Sequence, residues 1–180
     1  MSNIESVQQY DDFLSDHLLD RVLKYIQRDR WGIQSSLPNS SIKFLAMNLD
    51  DISLQEDIFN EIKKLIGDNY KIDRAHFNGQ FYGMSGEPHA DGNAKNKYTF
   101  LIYTNKEWDF LWGGQTIFFD RYMIGESEEI IINSSNFKSY YPKPKSALFF
   151  PSNLMHYAES PTKQCYEMRL TLAYKLERID

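Results

Sequence analysis

Gly67 divides the sequence into two kinds of pattern, and that change most restricts what the chain can fold into. After it come short β-branched and aromatic runs broken by Gly, Pro, Asn and Ser. They read "YKIDRAHFNGQFYG", "KYTFLIYTN", "GGQTIFFD", "EEIIINS", "SALFFPS" and "YEMRLTLAYKLE". Half a dozen or more strands of this kind predict an antiparallel sandwich or jelly roll. Twelve Tyr, twelve Phe and three Trp supply the bulk that such a core needs.

Before Gly67 the apolar residues follow helical spacing instead. In "SDHLLDRVLKYIQRDR" the residues Leu18, Leu19, Val22, Leu23 and Ile26 share one face, with Ser15 as the expected N-cap. His17 falls in the first turn as a solvated residue. In "SLQEDIFNEIKKLIG" the pair Ser53 and Glu56 reads as a capping box. There Ile58, Phe59, Ile62, Leu65 and Ile66 form the apolar face, and Gly67 stops the helix. A strand-like piece around Ile42–Met47 lies between. The expectation is a mainly β fold with these helices packed on one sheet. With no repeat or linker in 180 residues, a single domain is expected, helical over about 1–67 and β over about 68–177.

A net charge of −5 argues against general nucleic-acid or anionic-membrane binding, which needs clustered cations. Cys165 is the only cysteine, so no intrachain disulfide forms; it is expected as a buried apolar residue of the last strand region. The start "MSNIESVQQYDDFL" has no leader pattern and no run is long and apolar enough to span a membrane. A reducing cytoplasm is the expected location.

The chemistry concentrates in three places. In "GEPHADGNAK", His89 and Asp91 stand two residues apart and project to one face of an extended segment. In "SALFFPSNLMHYAESP", His156 follows a short turn. In "YEMRLTLAYKL", Arg169 sits within an apolar strand, where an unpaired charge is costly and must be satisfied by an anion or by strong acceptors. Two histidines and a carboxylate are the facial triad of non-haem Fe(II) oxygenases, with open positions for a 2-oxo acid and dioxygen. A fixed arginine suits the far carboxylate of such an acid.

With these residues in order, the chain resembles the 2-oxoglutarate/Fe(II)-dependent dioxygenases, most closely the prolyl 4-hydroxylase-like branch. "FYGMSGEPHAD" is similar to that family's HxD stretch, "YTFLIYTNKEWDFLWGGQTIFF" to its paired strands, and "YPKPKSALFFPSNLMHYAESP" to its distal histidine segment. The resemblance implies a double-stranded β-helix, a distorted jelly roll. It implies His89, Asp91 and His156 as iron ligands, and Arg169 with Tyr103 on the distal carboxylate of 2-oxoglutarate. Tyr82 would lie beside the co-substrate. Fe(II), 2-oxoglutarate and dioxygen are the implied reactants, with ascorbate as a stimulant and a prolyl or other residue of a peptide or protein as the substrate. The chain departs from the pattern in the spacing from His156 to Arg169, lengthened by "TKQCYE", and at Ser146, where glycine is usual. Collagen-type enzymes carry lysine at the anchor, and the retained Asp91 sets the chain apart from the related halogenases.

Two other functions compete. A nucleic-acid demethylase of the AlkB kind shares the triad but has a second arginine six residues after the first, where this sequence has Lys175. A cupin-like binding module would keep the sandwich without redox chemistry. Other residues have ordinary readings. His76 is expected to be structural in an early strand. Gly113 and Gly114 make a tight turn. Trp108 and Trp112 either pack in the core or grip a substrate. Lys95 to Lys97 form a solvated loop.

Overall fold

The computed structural model describes residues 4–28, 30–35, 41–123 and 130–179. It is mostly β, two antiparallel sheets with two helices, as the patterning after Gly67 predicts. The strands are β1 (Gln8–Tyr10), β2 (Gly32–Gln34), β3 (Phe44–Asn48), β4 (Tyr70–Gln80), β5 (Lys97–Tyr103), β6 (Thr116–Met123), β7 (Ile130–Tyr140), β8 (Ala147–Pro151), β9 (Met155–Ala158) and β10 (Arg169–Arg178). The larger sheet runs β1-β8-β5-β10-β4-β3-β2 and the smaller runs β7-β6-β9. Glu128 and Glu129 of the run expected as a strand lie outside the described residues; β7 takes up the rest. Three short strands, β1, β2 and β9, have no distinct signal of their own. The last of these carries His156.

The helices are α1 (Asp16–Ile26) and α2 (Ile52–Ile66). Ser15 caps α1 as expected, its hydroxyl accepting from the Leu18 N–H at 3.3 Å. The start of α2 differs from the sequence reading. Asp51, not Ser53, is the N-cap, its carboxylate accepting from the Leu54 N–H at 3.0 Å. Asp is as good a cap as Ser, and its earlier position lets Leu54 join the buried face. Gly67 ends α2 at φ 92°, a backbone region that favours glycine. Cys165 also departs from its reading: it is half-buried in the turn before β10, its thiol donating to the Glu167 carbonyl.

Both helices lie on the outer face of the larger sheet. Leu18, Leu19, Val22, Leu54, Ile58 and Ile62 pack with strand residues such as Phe77, Phe100, Leu172 and Tyr174 in one apolar cluster. A second cluster between the sheets joins Leu101, Tyr103, Phe118, Leu148, Phe150 and Leu154. The central strands therefore have both faces covered, which is why β5 and β10 read as nearly continuous apolar runs. The face turned away from the helices leaves β4 and β10 lining an open cavity of about 460 Å³. Among the described residues no helix is long and apolar enough to cross a membrane.

Phe77 is fully buried and stacks on Tyr25 of α1, ring centroids 5.8 Å apart, so it ties helix to sheet. Phe77→Ala is expected to cost about 3–5 kcal/mol in urea unfolding, the usual range for an emptied aromatic site.

Candidate active site

His89 lies on the loop before β5 and His156 on β9, and the main chain itself joins them. The His89 N–H donates to the His156 carbonyl and the His156 N–H to the His89 carbonyl, both at 2.9 Å. This reciprocal pair draws residues far apart in sequence into one register. Each imidazole then uses Nδ1 on a nearby carbonyl, His89 on Glu87 at 2.7 Å and His156 on Leu154 at 2.9 Å. With Nδ1–H as donor, Nε2 keeps its lone pair and faces the site.

Asp91 completes the group. Its Oδ1 is 3.5 Å from Nε2 of His89 and its Oδ2 is 3.7 Å from Nε2 of His156. The three donor atoms lie within 4.8 Å of one another. Cis ligands on a metal at bond lengths near 2.1 Å stand about 3 Å apart, so a small closing motion would let one ion touch all three. Thr99 donates to Asp91 Oδ2 at 2.6 Å, and the Lys175 ammonium contacts the same oxygen.

Burial would raise the Asp91 carboxyl, but Lys175 and the neighbouring imidazoles outweigh it and hold the group well below the usual carboxylate range. Burial lowers His156 to about 4 against the pull of Asp91, so its ring is neutral near pH 7. An ionised carboxylate and a neutral imidazole are the forms a divalent metal requires. The donor set of two nitrogens and one oxygen, gathered on one side of a cavity, fits Fe(II) with open coordination positions.

Arg169 starts β10 and is 1% exposed. Nε donates to the Gly114 carbonyl at 2.6 Å, Nη1 to Gln80 Oε1 at 2.9 Å and Nη2 to Thr116 Oγ1 at 2.9 Å. Every one of these acceptors is neutral. A guanidinium has five N–H groups, so each terminal nitrogen keeps one for a further acceptor, the arrangement that suits a carboxylate. Tyr103 donates to the same Thr116 oxygen at 2.7 Å, and Arg169 lies 5.6 Å from the centre of its ring. Burial raises the Tyr103 phenol despite the arginine, so it remains a donor. The tight turn brings Gly114 against the anchor: at φ +76°, a Cβ there would meet Arg169 Cδ at 3.1 Å.

The structure thus brings together His89, Asp91, His156 and Arg169 on one cavity wall, with Tyr103 behind Thr116. It does not bring Tyr82 there. That ring is 57% exposed, lies outside the cavity lining and faces Lys163. Trp108 and Trp112 are buried and edge-packed on each other, so of their two readings the core one describes them. Lys97 ion-pairs with Asp73 and Glu177 rather than standing free in solvent. Thr116, Gln80, Thr99 and Lys175 contribute to the site without a motif of their own. Alternation alone could have found Lys175, which shares the inward face of β10 with Arg169, Thr171 and Ala173.

This sandwich with a His-Asp-His cluster defines a class before any comparison is made: a non-haem iron oxygenase fold. The sequence profile described as the 2OG-Fe(II) oxygenase superfamily matches residues 75–174. The chain belongs to that superfamily of dioxygenases, which uses Fe(II), 2-oxoglutarate and dioxygen. No curated protein matches it by sequence. Among solved structures it is similar to a Pseudomonas putida prolyl 4-hydroxylase, at 15% identity and TM-score 0.68 over 96% of this chain and 93% of that one. It is also similar to a Trichoplax adhaerens prolyl hydroxylase in complex with a hypoxia inducible factor peptide fragment, at 17% identity and TM-score 0.67 over 98% and 85%. A third is the viral collagen prolyl hydroxylase of Paramecium bursaria Chlorella virus-1, at 15% identity and TM-score 0.63 over 97% of each.

His76, on β4 beside the cavity, provides a pH test. Burial, reinforced by Lys175 and Arg74, lowers it to about 3 from the ordinary 6.5, and its Nδ1 has no hydrogen-bond partner. Below pH 6.5 the unfolded chain takes up a proton that the folded chain refuses. Its contribution is therefore complete above pH 6.5 and is lost as the pH falls toward 3. The thermal midpoint should fall less steeply between pH 7 and pH 4.5 in His76→Asn than in the parent protein.

Proposed function

We propose that the chain is a hydroxylase acting on a prolyl or other residue of a peptide or protein, with succinate and carbon dioxide as co-products. His89, Asp91 and His156 would hold Fe(II), and Arg169 with Tyr103 would anchor the distal carboxylate of 2-oxoglutarate. The observation that carries this reading is the buried Arg169, a cation with only neutral acceptors opening onto the cavity of the His-Asp-His cluster. A buried charge so placed is completed by an anionic ligand. The peptide part rests on the prolyl hydroxylase neighbours, one of which is in complex with a peptide fragment.

Fe(II) held by these residues would let dioxygen take two electrons from the 2-oxo acid, which would lose carbon dioxide and keep one oxygen atom as succinate, and two from the substrate C–H bond, which would gain the other oxygen as a hydroxyl. The chain's own residues do the positioning. The Nδ1 bonds to Glu87 and Leu154 fix which face each imidazole presents. Thr99 and Lys175 hold the Asp91 carboxylate and keep it ionised. Thr116 accepts from both Arg169 and Tyr103 and so sets their spacing for one carboxylate. Leu101, Phe150 and Ala173 give the wall between anchor and cluster its apolar part, which limits water near the reacting bond.

Anaerobic addition of Fe(II) and then 2-oxoglutarate to metal-free protein should produce the visible charge-transfer band of the chelate. Asp91→Ala should abolish it. Arg169→Ala should weaken 2-oxoglutarate binding by about a hundredfold or more, because the ligand carboxylate loses its buried partner. Arg169→Lys, which keeps the charge, should recover part of that loss. A folded wild-type protein with no band would remove the reading.

A further inference from the structure

We propose that the substrate carries a carboxylate close to the carbon that is oxidised, and that Arg74 on β4, paired across the sheet with Lys175, recognises it. This inference rests on the hydroxylase reading and adds the chemical class of its substrate.

The cavity reverses the charge of the chain around it. Although the protein carries −5 overall, Arg30, Arg74, Arg169 and Lys175 all line the cavity, and among the described residues Asp91 is the only carboxylate residue that does. Three of the four cations have evident work. Arg30 pairs with Asp50 at 2.5 Å, Arg169 stands at the co-substrate anchor, and Lys175 contacts Asp91. Arg74 has neither an ion pair nor a hydrogen bond among the described residues.

The position of Arg74 is the sharper observation. In the ladder between β4 and β10, Arg74 is directly opposite Lys175. Like charges directly opposite each other on one sheet face are destabilising unless something anionic lies near both. The register shifts immediately beyond this pair, between Lys175 and Leu176. Up to that point the register is unbroken, so plain alternation places Lys175 with Arg169 and Thr171, and Arg74 with His76 and Asn78, on the cavity face of their strands. His76, the next cavity-facing residue of β4, adds a ring nitrogen with no partner. Asp91 supplies one negative charge to this corner, to Lys175. The guanidinium of Arg74 is left over, exposed at the rim, with the planar fork that a carboxylate fits.

Arg74 is thus one cross-strand step from the lysine that touches Asp91, one of the proposed iron ligands. The carboxylate is therefore part of the substrate near the reacting carbon, rather than a remote docking element. It can come from an acidic side chain next to the modified residue, or from a free chain terminus at that place.

The test is a calorimetric titration of protein loaded anaerobically with Fe(II) and 2-oxoglutarate, the chelate band being recorded first. The probes are end-blocked acetyl-Ala-Glu-Pro-Ala-amide and its Gln and Lys counterparts, plus the Gln peptide with a free C-terminal carboxylate. The Glu peptide should bind about tenfold tighter than Gln, with Lys weakest, and added salt should narrow the difference. Arg74→Glu should reverse the order of the Glu and Lys peptides, and Arg74→Lys should retain the wild-type order. Equal preference for the free-acid peptide would identify a chain terminus as the source of the carboxylate. Glu, Gln and free-acid peptides that bind alike or not at all to protein showing the band would overturn the inference and leave the hydroxylase reading standing. So would an Arg74→Glu protein that still prefers the Glu peptide. A protein without the band removes the hydroxylase reading, and this inference with it.

Discussion

A guanidinium buried at 1% exposure among neutral oxygens is the constraint on which the rest of this structure turns. Taking such a charge out of water is costly, and hydrogen bonds to neutral acceptors recover only part of that cost. To place these acceptors, the fold brings a glutamine from β4, a threonine from β6 and a carbonyl from the Gly-Gly turn to the first residue of β10. Each comes from a different part of the chain, so the sheets must close correctly for the anchor to exist. Arg169 also lines the cavity, and an anion on its two remaining N–H groups, as proposed above, would offset the rest. On that proposal, stability and ligand binding would be coupled at one residue.

Much of this was legible in the sequence because its physics is local. The change of period at Gly67 marks where helices give way to strands, and the cap of α1 and the stop of α2 come from short-range backbone and side-chain preferences. The HxD spacing, the distal histidine and the arginine inside an apolar strand are similarly local oddities, each hard to explain as packing. The resemblance ordered them, and the superfamily match covers the same stretch. What stayed hidden depends on tertiary placement. Asp51 outranks Ser53 as a cap because of which leucine then faces the sheet. Tyr82 and Tyr103 look alike in sequence, but one lies out beside Lys163 while the other donates within the sandwich.

Residues without a motif were harder still. Thr116 is an ordinary strand threonine until Tyr103 and Arg169 are both seen to use its hydroxyl. β9 is only four residues long, too short for a periodic signal, and it owes its place to pairing with β6 and to the bridge from His89. Arg74 lies in a strand run with no motif around it, and only the strand order shows that its face looks into the cavity. Cross-strand neighbours are set by register, and register is not written in any single strand.

The contact between Lys175 and Asp91 also bears on how such a protein is made. A carboxylate taken out of water is costly without a counter-ion, and small metal domains often cannot fold until the metal supplies it. Here the chain carries its own place-keeper, an ammonium already resting on the carboxylate. The loop of His89 and Asp91 is further tied by backbone bonds that involve no metal. Ligand geometry is thus assembled by the polypeptide, and metal loading becomes an exchange of one cation's company for another's. On the proposed reading, the three residues would be held together by the chain's own cation and backbone bonds, without dependence on the ion.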